Sequence, residues 1–462
     1  MGNKNQEMAR KVAEQVAAHG GRAYYVGGMV RDRIMGKENK DIDIEVHGIT
    51  PPVLEAILDD LGGHTELGKS FGIYGLKGYE LDIAMPRKEK AIGKGHRDFQ
   101  VFVDPYLGTE KAAQRRDFTI NAMMEDILTG EVLDHFGGKR DLNEKILRMV
   151  DEKAFSEDPL RVLRGAQFAA RFDLTMEEET LMQCGTIDLS TLPGERIFGE
   201  LEKALLKAQK PSVFFETLRK MGQLQIWFPQ FEALIGMEQN PIHHPEGDVW
   251  NHTMLVLDEA AKLRSGAKYA ETTLSPRWEL AFMLSALCHD LGKAVTTAKG
   301  EDGLIHAIDH EAAGIPLVKE FLKPMTGNKK LADYVTSMTE LHMKPNVVAG
   351  VQSKKKTTNR MFDQAIDPEG LLLLARADHL GRPGKVIEEE KETFLAERLE
   401  LYKETMAQPF VKGQDLLDAG ITPGPEFREL LAYAHKLRLA GIVKKDALKQ
   451  VLQHAEKITS RG

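Results

Sequence analysis

Two aspartates one residue apart, Asp41 and Asp43, lie in the run Asp41-Ile42-Asp43-Ile44-Glu45-Val46. Shortly before it stands Tyr25-Val26-Gly27-Gly28-Met29-Val30-Arg31-Asp32. Side chains alternate along a strand, so the two carboxylates face one way while Ile42 and Ile44 face a core. Like charges held that close repel unless a cation sits between them. A divalent metal is the usual answer, and metal pairs clamp the attacking and leaving oxygens of a phosphoryl displacement. Gly27 and Gly28 let backbone N–H groups approach a triphosphate with no Cβ in the way. Farther on, Arg115-Arg116-Asp117-Phe118-Thr119-Ile120-Asn121 sets two guanidinium groups beside a carboxylate. Guanidinium groups chelate phosphate oxygens, and a carboxylate accepts from sugar hydroxyls. Each piece has a plainer reading alone: a wet edge strand, a hairpin turn, a helix-end ion pair. The combination at this spacing favours chemistry on a nucleoside triphosphate.

A second set lies mid-chain: His252, the string Leu287-Cys288-His289-Asp290-Leu291-Gly292-Lys293, His310-Glu311, His342 and Asp378. Imidazoles and carboxylates suit Mn, Fe, Ni, Zn or Mg, and an adjacent His-Asp on a helix would give two ligands to one centre. Between the two sets, Glu157-Asp158-Pro159-Leu160-Arg161-Val162-Leu163-Arg164 reads as a helix start, with Asp158 as cap and Pro159 first in the helix. Arg161 and Arg164 then share a face, with Arg171 roughly two turns on. A capped helix with a cationic stripe accounts for this much.

The elements that must position these residues change character along the chain. From about 22 to 148, β-like runs (Ala23–Val26, Asp41–Val46, Gly72–Leu76, Leu81–Ala84, Phe99–Val103) alternate with helical stretches and Gly/Pro turns, predicting an α/β or α+β domain. From about 150 onward amphipathic helical patterns dominate and convincing strands vanish, with breaks at Gly185, Pro193-Gly194 and Gly222. Asn240-Pro241-Ile242-His243-His244-Pro245-Glu246-Gly247 marks a boundary. A helical, histidine-rich block follows to about Glu400, then a short helical tail set off by Pro409, Gly413 and Pro423-Gly424-Pro425.

With 462 residues, several domains are expected. The only cysteines, Cys184 and Cys288, argue against a disulfide framework and for a reducing compartment. The polar first twenty residues and the absence of any apolar run of membrane-spanning length predict a cytoplasmic protein. A net charge of −8 weighs against a surface that coats nucleic acid throughout, but leaves room for a local basic track. Arg87-Lys88-Glu89-Lys90 with Lys94, His96 and Arg97, the arginines of 161–171, and Lys354 to Lys356 with Arg360 are the candidates; each also fits a solvated face.

The Gly-Gly-x-Val-Arg-Asp segment followed by Asp-x-Asp resembles the leading motif of the nucleotidyltransferase superfamily. Specifically, it is similar to the tRNA nucleotidyltransferase (CCA-adding enzyme) and bacterial poly(A) polymerase family, class II type. The resemblance implies an α+β protein: a polymerase-β-like α/β head (1–148), an all-α neck with template and RNA-binding roles (149–238), an HD helical domain (239–400) and a helical tail (401–462). It implies that Asp41 and Asp43 are catalytic and hold Mg²⁺, with Asp82 a third carboxylate for which Glu80 competes. Gly27, Gly28, Arg31 and Arg116 would cradle the triphosphate, and Arg116 with Asp117 would favour ribonucleotides. Asp158 and Arg161, on one helix with Arg164, would pair with the Watson–Crick edge of CTP or ATP. Asp134 to Leu142 resembles the hinge below the head, and Glu195 to Leu201 a buttress of the template helix.

The string around His289 is similar to that of HD-family phosphohydrolases. That likeness implies His252, His289, Asp290 and Asp378 as ligands of a divalent transition metal or Mg²⁺, with His310 and His342 for a second metal or a substrate phosphate. The implied partners are a tRNA 3′ end, CTP and ATP, and no membrane. The rivals are a poly(A) polymerase, an A-only or CC-only tRNA-end enzyme, an HD phosphohydrolase with a non-catalytic RNA-binding head, and a nucleotide sensor without turnover.

Overall fold

The computed structural model describes residues 2–37, 41–68, 72–91, 99–264 and 276–459. Lys40, Lys94, His96 and Arg97 lie outside the described residues. The chain divides into two compact units: residues 1–201 with 213–227, and residues 202–212 with 228–462.

The first unit is built on a seven-stranded mixed sheet among the described residues, in the order His64–Gly68, Ile73–Leu76, Leu81–Ala84, Ile42–His47, Arg22–Val26, Met124–Asp126, Val132–Leu133. Its pairings are antiparallel except that of Ile42–His47 with Leu81–Ala84, which run parallel. Alternation works as the sequence suggests. Ile42, Ile44 and Val46 bury one face in a core shared with Val12 and Val16 of helix Gly2–Ala18 and Leu54 and Leu58 of helix Pro51–Asp60. The opposite face carries Tyr24, Val26 and Met124 against Ala112 and Ala113 of helix Thr109–Gln114. Asp43 and Glu45 belong to that second face, being out of phase with the isoleucines.

Helices Glu152–Ser156, Leu160–Phe172 and Glu178–Thr186 follow. Phe118 joins them to the head, its ring lying 5.4 Å from Phe155 and 5.8 Å from Phe168, both edge-on. Strands do not vanish after residue 150: Thr175–Met176 pairs in parallel with Ile146–Leu147, and Thr297–Lys299 forms a hairpin with Ile305–Ala307. Runs of two or three residues are too short to show a period of two, as are Met124–Asp126 and Val132–Leu133 in the head.

Among the described residues, the regular structure of the second unit is helical apart from that hairpin. Helices Val249–Arg264, Pro276–Cys288, Lys329–Leu341 and Pro368–Leu380 pack around fully buried Trp250, Phe282, Tyr334 and Leu374. In the tail, Val411, Leu416, Leu430, Ala434, Ala447 and Val451 form a small core of their own. Among the described residues, no helix is long and apolar enough to cross a membrane.

Candidate active site and candidate metal centre

Strand Arg22–Val26 ends at Gly27, whose φ of 65° and ψ of −128° suit glycine, and helix Gly28–Ile34 starts directly after it. A Cβ built on Gly27 would lie 3.1 Å from Nη1 of Arg116 and 3.8 Å from Oδ2 of Asp43. The glycine turn, the arginine and the aspartate therefore share one spot. The parallel pairing sets Asp43 directly beside Asp82, so the two project to the same face. Burial raises the Asp43 carboxyl above the usual range; Arg116 pulls it down, while Asp82 and Asp41 push it further up. Carboxylates that disfavour one another's charge form the donor set that a divalent cation relieves. Two carboxylates suffice for a cation that keeps waters and substrate phosphates as its other ligands.

Glu45, two residues along on the same face, was not singled out from the sequence. It is buried, takes Nη2 of Arg116 at 3.3 Å and contacts Nε2 of His47 at 2.9 Å. Burial would raise its carboxyl, but His47 and Arg116 outweigh that and hold it below the usual range. Its signal was present in the sequence as the third acid of an i, i+2, i+4 series.

Three residues assigned to nucleotide binding are engaged elsewhere. Arg31 is held inside the fold. Its side chain is 4% exposed, bonds Asp32 through Nε at 2.8 Å and Asn121 through Nη1 at 2.6 Å, and lies over the Phe172 ring. Asp117 is buried: Oδ1 accepts from the Phe118 N–H and from Asn121 Nδ2, while Oδ2 takes Nε and Nη2 of Arg164 at 2.8 and 2.6 Å. Burial alone would raise the Asp117 carboxyl; Arg164 and the hydrogen bonds more than reverse this and hold it low. These form an internal bracket, with no carboxylate oxygen left for a ribose.

Asp158 accepts from the Leu160 N–H at 3.2 Å, but from one residue farther out than expected: helix Leu160–Phe172 has Pro159, not Asp158, at its N-cap position. It remains partly exposed and forms an ion pair at 3.2 Å with Arg196, of helix Gly194–Lys207. Arg161 donates to the carbonyls of Ala154 (2.6 Å) and Arg115 (2.8 Å), tying the helix to the segment that carries Arg116.

The second unit gathers the histidines. His252 comes from helix Val249–Arg264, His310 opens helix His310–Leu322, His342 follows helix Lys329–Leu341, and Asp378 lies in helix Pro368–Leu380. His289 and Asp290 sit not on a helix but in the turn just after Pro276–Cys288. Gly292 permits this packing: a Cβ there would lie 1.9 Å from the His310 carbonyl oxygen. Asp290 bridges two groups. Its Oδ2 is 3.2 Å from Nε2 of His289 and 3.7 Å from that of His252; its Oδ1 is 3.2 Å from Nε2 of His310 and 3.7 Å from that of His342. Asp378 Oδ1 is 3.0 Å from Nε2 of His252.

His289, His310 and His342 each place Nδ1 within 2.8 Å of the carbonyl three residues earlier, on Ala286, Ala307 and Thr339. Donation there turns each Nε2 lone pair inward, the arrangement that orients metal-ligating imidazoles. Nε2 of His289 is buried without a hydrogen-bond partner. Despite burial, Asp290 is held far below the usual carboxylate range by Lys293 and His289, and Asp378 by His252 and Arg382. Among the described residues, the groups of three whose ligand atoms lie within 4.8 Å of one another are His252/His289/Asp378, Asp290/His310/His342 and His244/Glu246/His252. The donors fit a divalent metal. His244 and Glu246 come from the segment read as a boundary, where turn residues masked them.

Comparison with known proteins covers the head and the chain as a whole. Residues 23–148 match the family model described as the Poly A polymerase head domain, and residues 173–235 that of a probable RNA and SrmB-binding site of polymerase A. The multifunctional CCA protein of Actinobacillus pleuropneumoniae serotype 5b is 35% identical over 91% of this chain and 98% of its own. The chain belongs to the multifunctional CCA protein family. Another member, from Halorhodospira halophila, is 32% identical over 92% of this chain and 98% of its own. The fold is that of solved CCA-adding enzymes: an apo form at TM-score 0.65 and 21% identity (97% and 93% of the two chains), and the Thermotoga maritima enzyme complexed with tRNA_CCA at TM-score 0.63 and 21% identity (97% and 95%). This member of the multifunctional CCA protein family is an α+β chain with a mixed-sheet head, the fold class its sequence motifs imply.

Proposed function

We propose that this chain is a tRNA nucleotidyltransferase that adds or repairs the 3′-terminal CCA, using CTP and ATP without a nucleic-acid template. The observation that carries the reading is the meeting of Gly27, Asp43, Arg116 and Asp82 at one point of the sheet, in a chain whose full-length relatives are multifunctional CCA proteins. Asp41 and Asp43 would hold Mg²⁺, which when bound acidifies the primer 3′-hydroxyl and neutralises the leaving pyrophosphate. The Gly27–Gly28 turn and Arg116 bind the triphosphate, with Glu45 fixing the guanidinium. Asp158, its carboxylate oriented by Arg196, would meet the base edge, with Arg161 beside it while its Nη atoms hold the carbonyls of Ala154 and Arg115. Arg31, Asp117 and Arg164 hold the head against the template helix.

In the second unit, the Asp290-bridged histidines support a metal-dependent phosphohydrolase centre. His252, His289, Asp290 and Asp378 would be the ligands, and His310 and His342 complete the second group. Lys293 and Arg382, paired with Asp290 and Asp378, add positive charge for a phosphate.

The test is incubation of the purified protein with tRNA lacking one, two or three terminal nucleotides, with CTP and ATP supplied singly and together. Two C additions and one A addition, then arrest, are expected. Long A tails on unrelated RNA would overturn the reading in favour of a poly(A) polymerase.

A further inference from the structure

His252 differs from the other histidines of its centre. Nδ1 of His289, His310 and His342 faces a backbone carbonyl, whereas Nδ1 of His252 faces a carboxylate, Glu246 Oε1, at 2.8 Å. The contact is an ion-pair approach rather than an aligned hydrogen bond. Glu246 is buried to 1% side-chain exposure, and the same oxygen lies 2.8 Å from Nδ1 of His244, whose ring meets the His252 ring edge-on at 4.8 Å. Its other oxygen, Oε2, is buried with no hydrogen-bond partner.

A metal shared by His252, His289 and Asp378 takes Nε2 of His252, because that atom faces Asp378 and Asp290. The imidazole proton must then sit on Nδ1, opposite Glu246. A carboxylate there fixes the tautomer and raises the basicity of the ligating nitrogen, more than a carbonyl does. We infer that Glu246 is a positioning residue of the histidine centre, holding His252 with Nε2 turned to the metal, and that His244 is not itself a ligand. This rests on the phosphohydrolase-centre reading above. The alternative, that His244, Glu246 and His252 hold an ion of their own, would make His252 ligate through both nitrogens.

The probe is Co²⁺ titrated into the full-length protein, followed by its visible absorption and by the number of ions bound per chain. Glu246→Gln should weaken Co²⁺ binding by about 10–100-fold, the usual cost of losing an outer-shell partner. The ion count at saturation and the circular dichroism of the apoprotein should not change. His244→Phe should leave the affinity nearly as it was, since Glu246 still faces His252. Unchanged affinity in Glu246→Gln would overturn the inference, as would the loss of one ion per chain in either variant. Should Glu246→Gln fail to fold, the His244→Phe ion count alone decides between positioning and ligation. If the wild-type protein takes up no Co²⁺, the phosphohydrolase-centre reading fails and the Glu246 inference falls with it.

Discussion

Asp117 separates two accounts of the same motif. The family resemblance assigns it to the ribose of the incoming nucleotide, whereas the structure spends both its oxygens on Arg164, Asn121 and the Phe118 N–H. Asp117→Asn keeps the shape but leaves Arg164 facing a neutral amide. Breaking a fully buried pair costs about 3–5 kcal/mol. Arg164 retains 34% side-chain exposure and Asp117 7%, so water recovers part of this and about 2–3 kcal/mol is expected. For a unit of this size, that lowers its melting midpoint by about 5–10 °C. The pH dependence follows from the sign of the shift. The folded carboxyl lies below its unfolded value, so the pair stabilises fully above the unfolded value of about 3.9 and is lost as pH falls through the folded one. Wild type should lose its advantage over the variant only in strong acid. The assay pairs melting curves across pH with kcat/KM for CTP against dCTP. A variant that melts like wild type but no longer discriminates against the deoxynucleotide would refute the bracket and restore the ribose contact.

Asp43→Asn should lower CMP incorporation by about a thousandfold, the loss of several kcal/mol of charge stabilisation, with the melting midpoint unchanged or raised because a strained carboxylate is relieved. Gly27→Ala forces a side chain into a positive-φ conformation outside the left-handed α region (φ 65°, ψ −128°), costing about 1–3 kcal/mol. It also presses on Arg116, so the KM for nucleotide should rise about tenfold in steady-state kinetics. Arg196→Ala removes an exposed ion pair worth at most about 1 kcal/mol of stability. The melt should scarcely move while misincorporation of UMP and GMP rises, measured on tRNA lacking its terminal nucleotides. Burial pushes the Cys184 thiol up to about 12 and Cys288 in the same direction. Neither should react with a disulfide reagent at pH 8 until the protein is denatured.

What the sequence determined by itself is local. The glycine turn, the alternation that puts Asp43 and Glu45 on one face, and the helix start just after Asp158-Pro159 all depend on neighbours within a few residues. Backbone sterics and side-chain period decide such features wherever the chain goes. The histidine string was legible for the same reason, its residue types being chemically distinctive. Only the tertiary structure decided which distant groups meet. The parallel register that sets Asp82 beside Asp43 spans some forty residues and leaves no mark in either strand. The bracket of Asp117 and Arg164 depends on where the following helix docks. Because a charged residue reads the same in sequence whether it is buried against a partner or free to meet substrate, the sequence did not show that Arg31 bonds Asn121 and Asp117 pairs with Arg164. His244 and Glu246 were hidden for the converse reason: a segment of turn residues signals only that regular structure stops, while what its side chains reach is fixed by the helices around them.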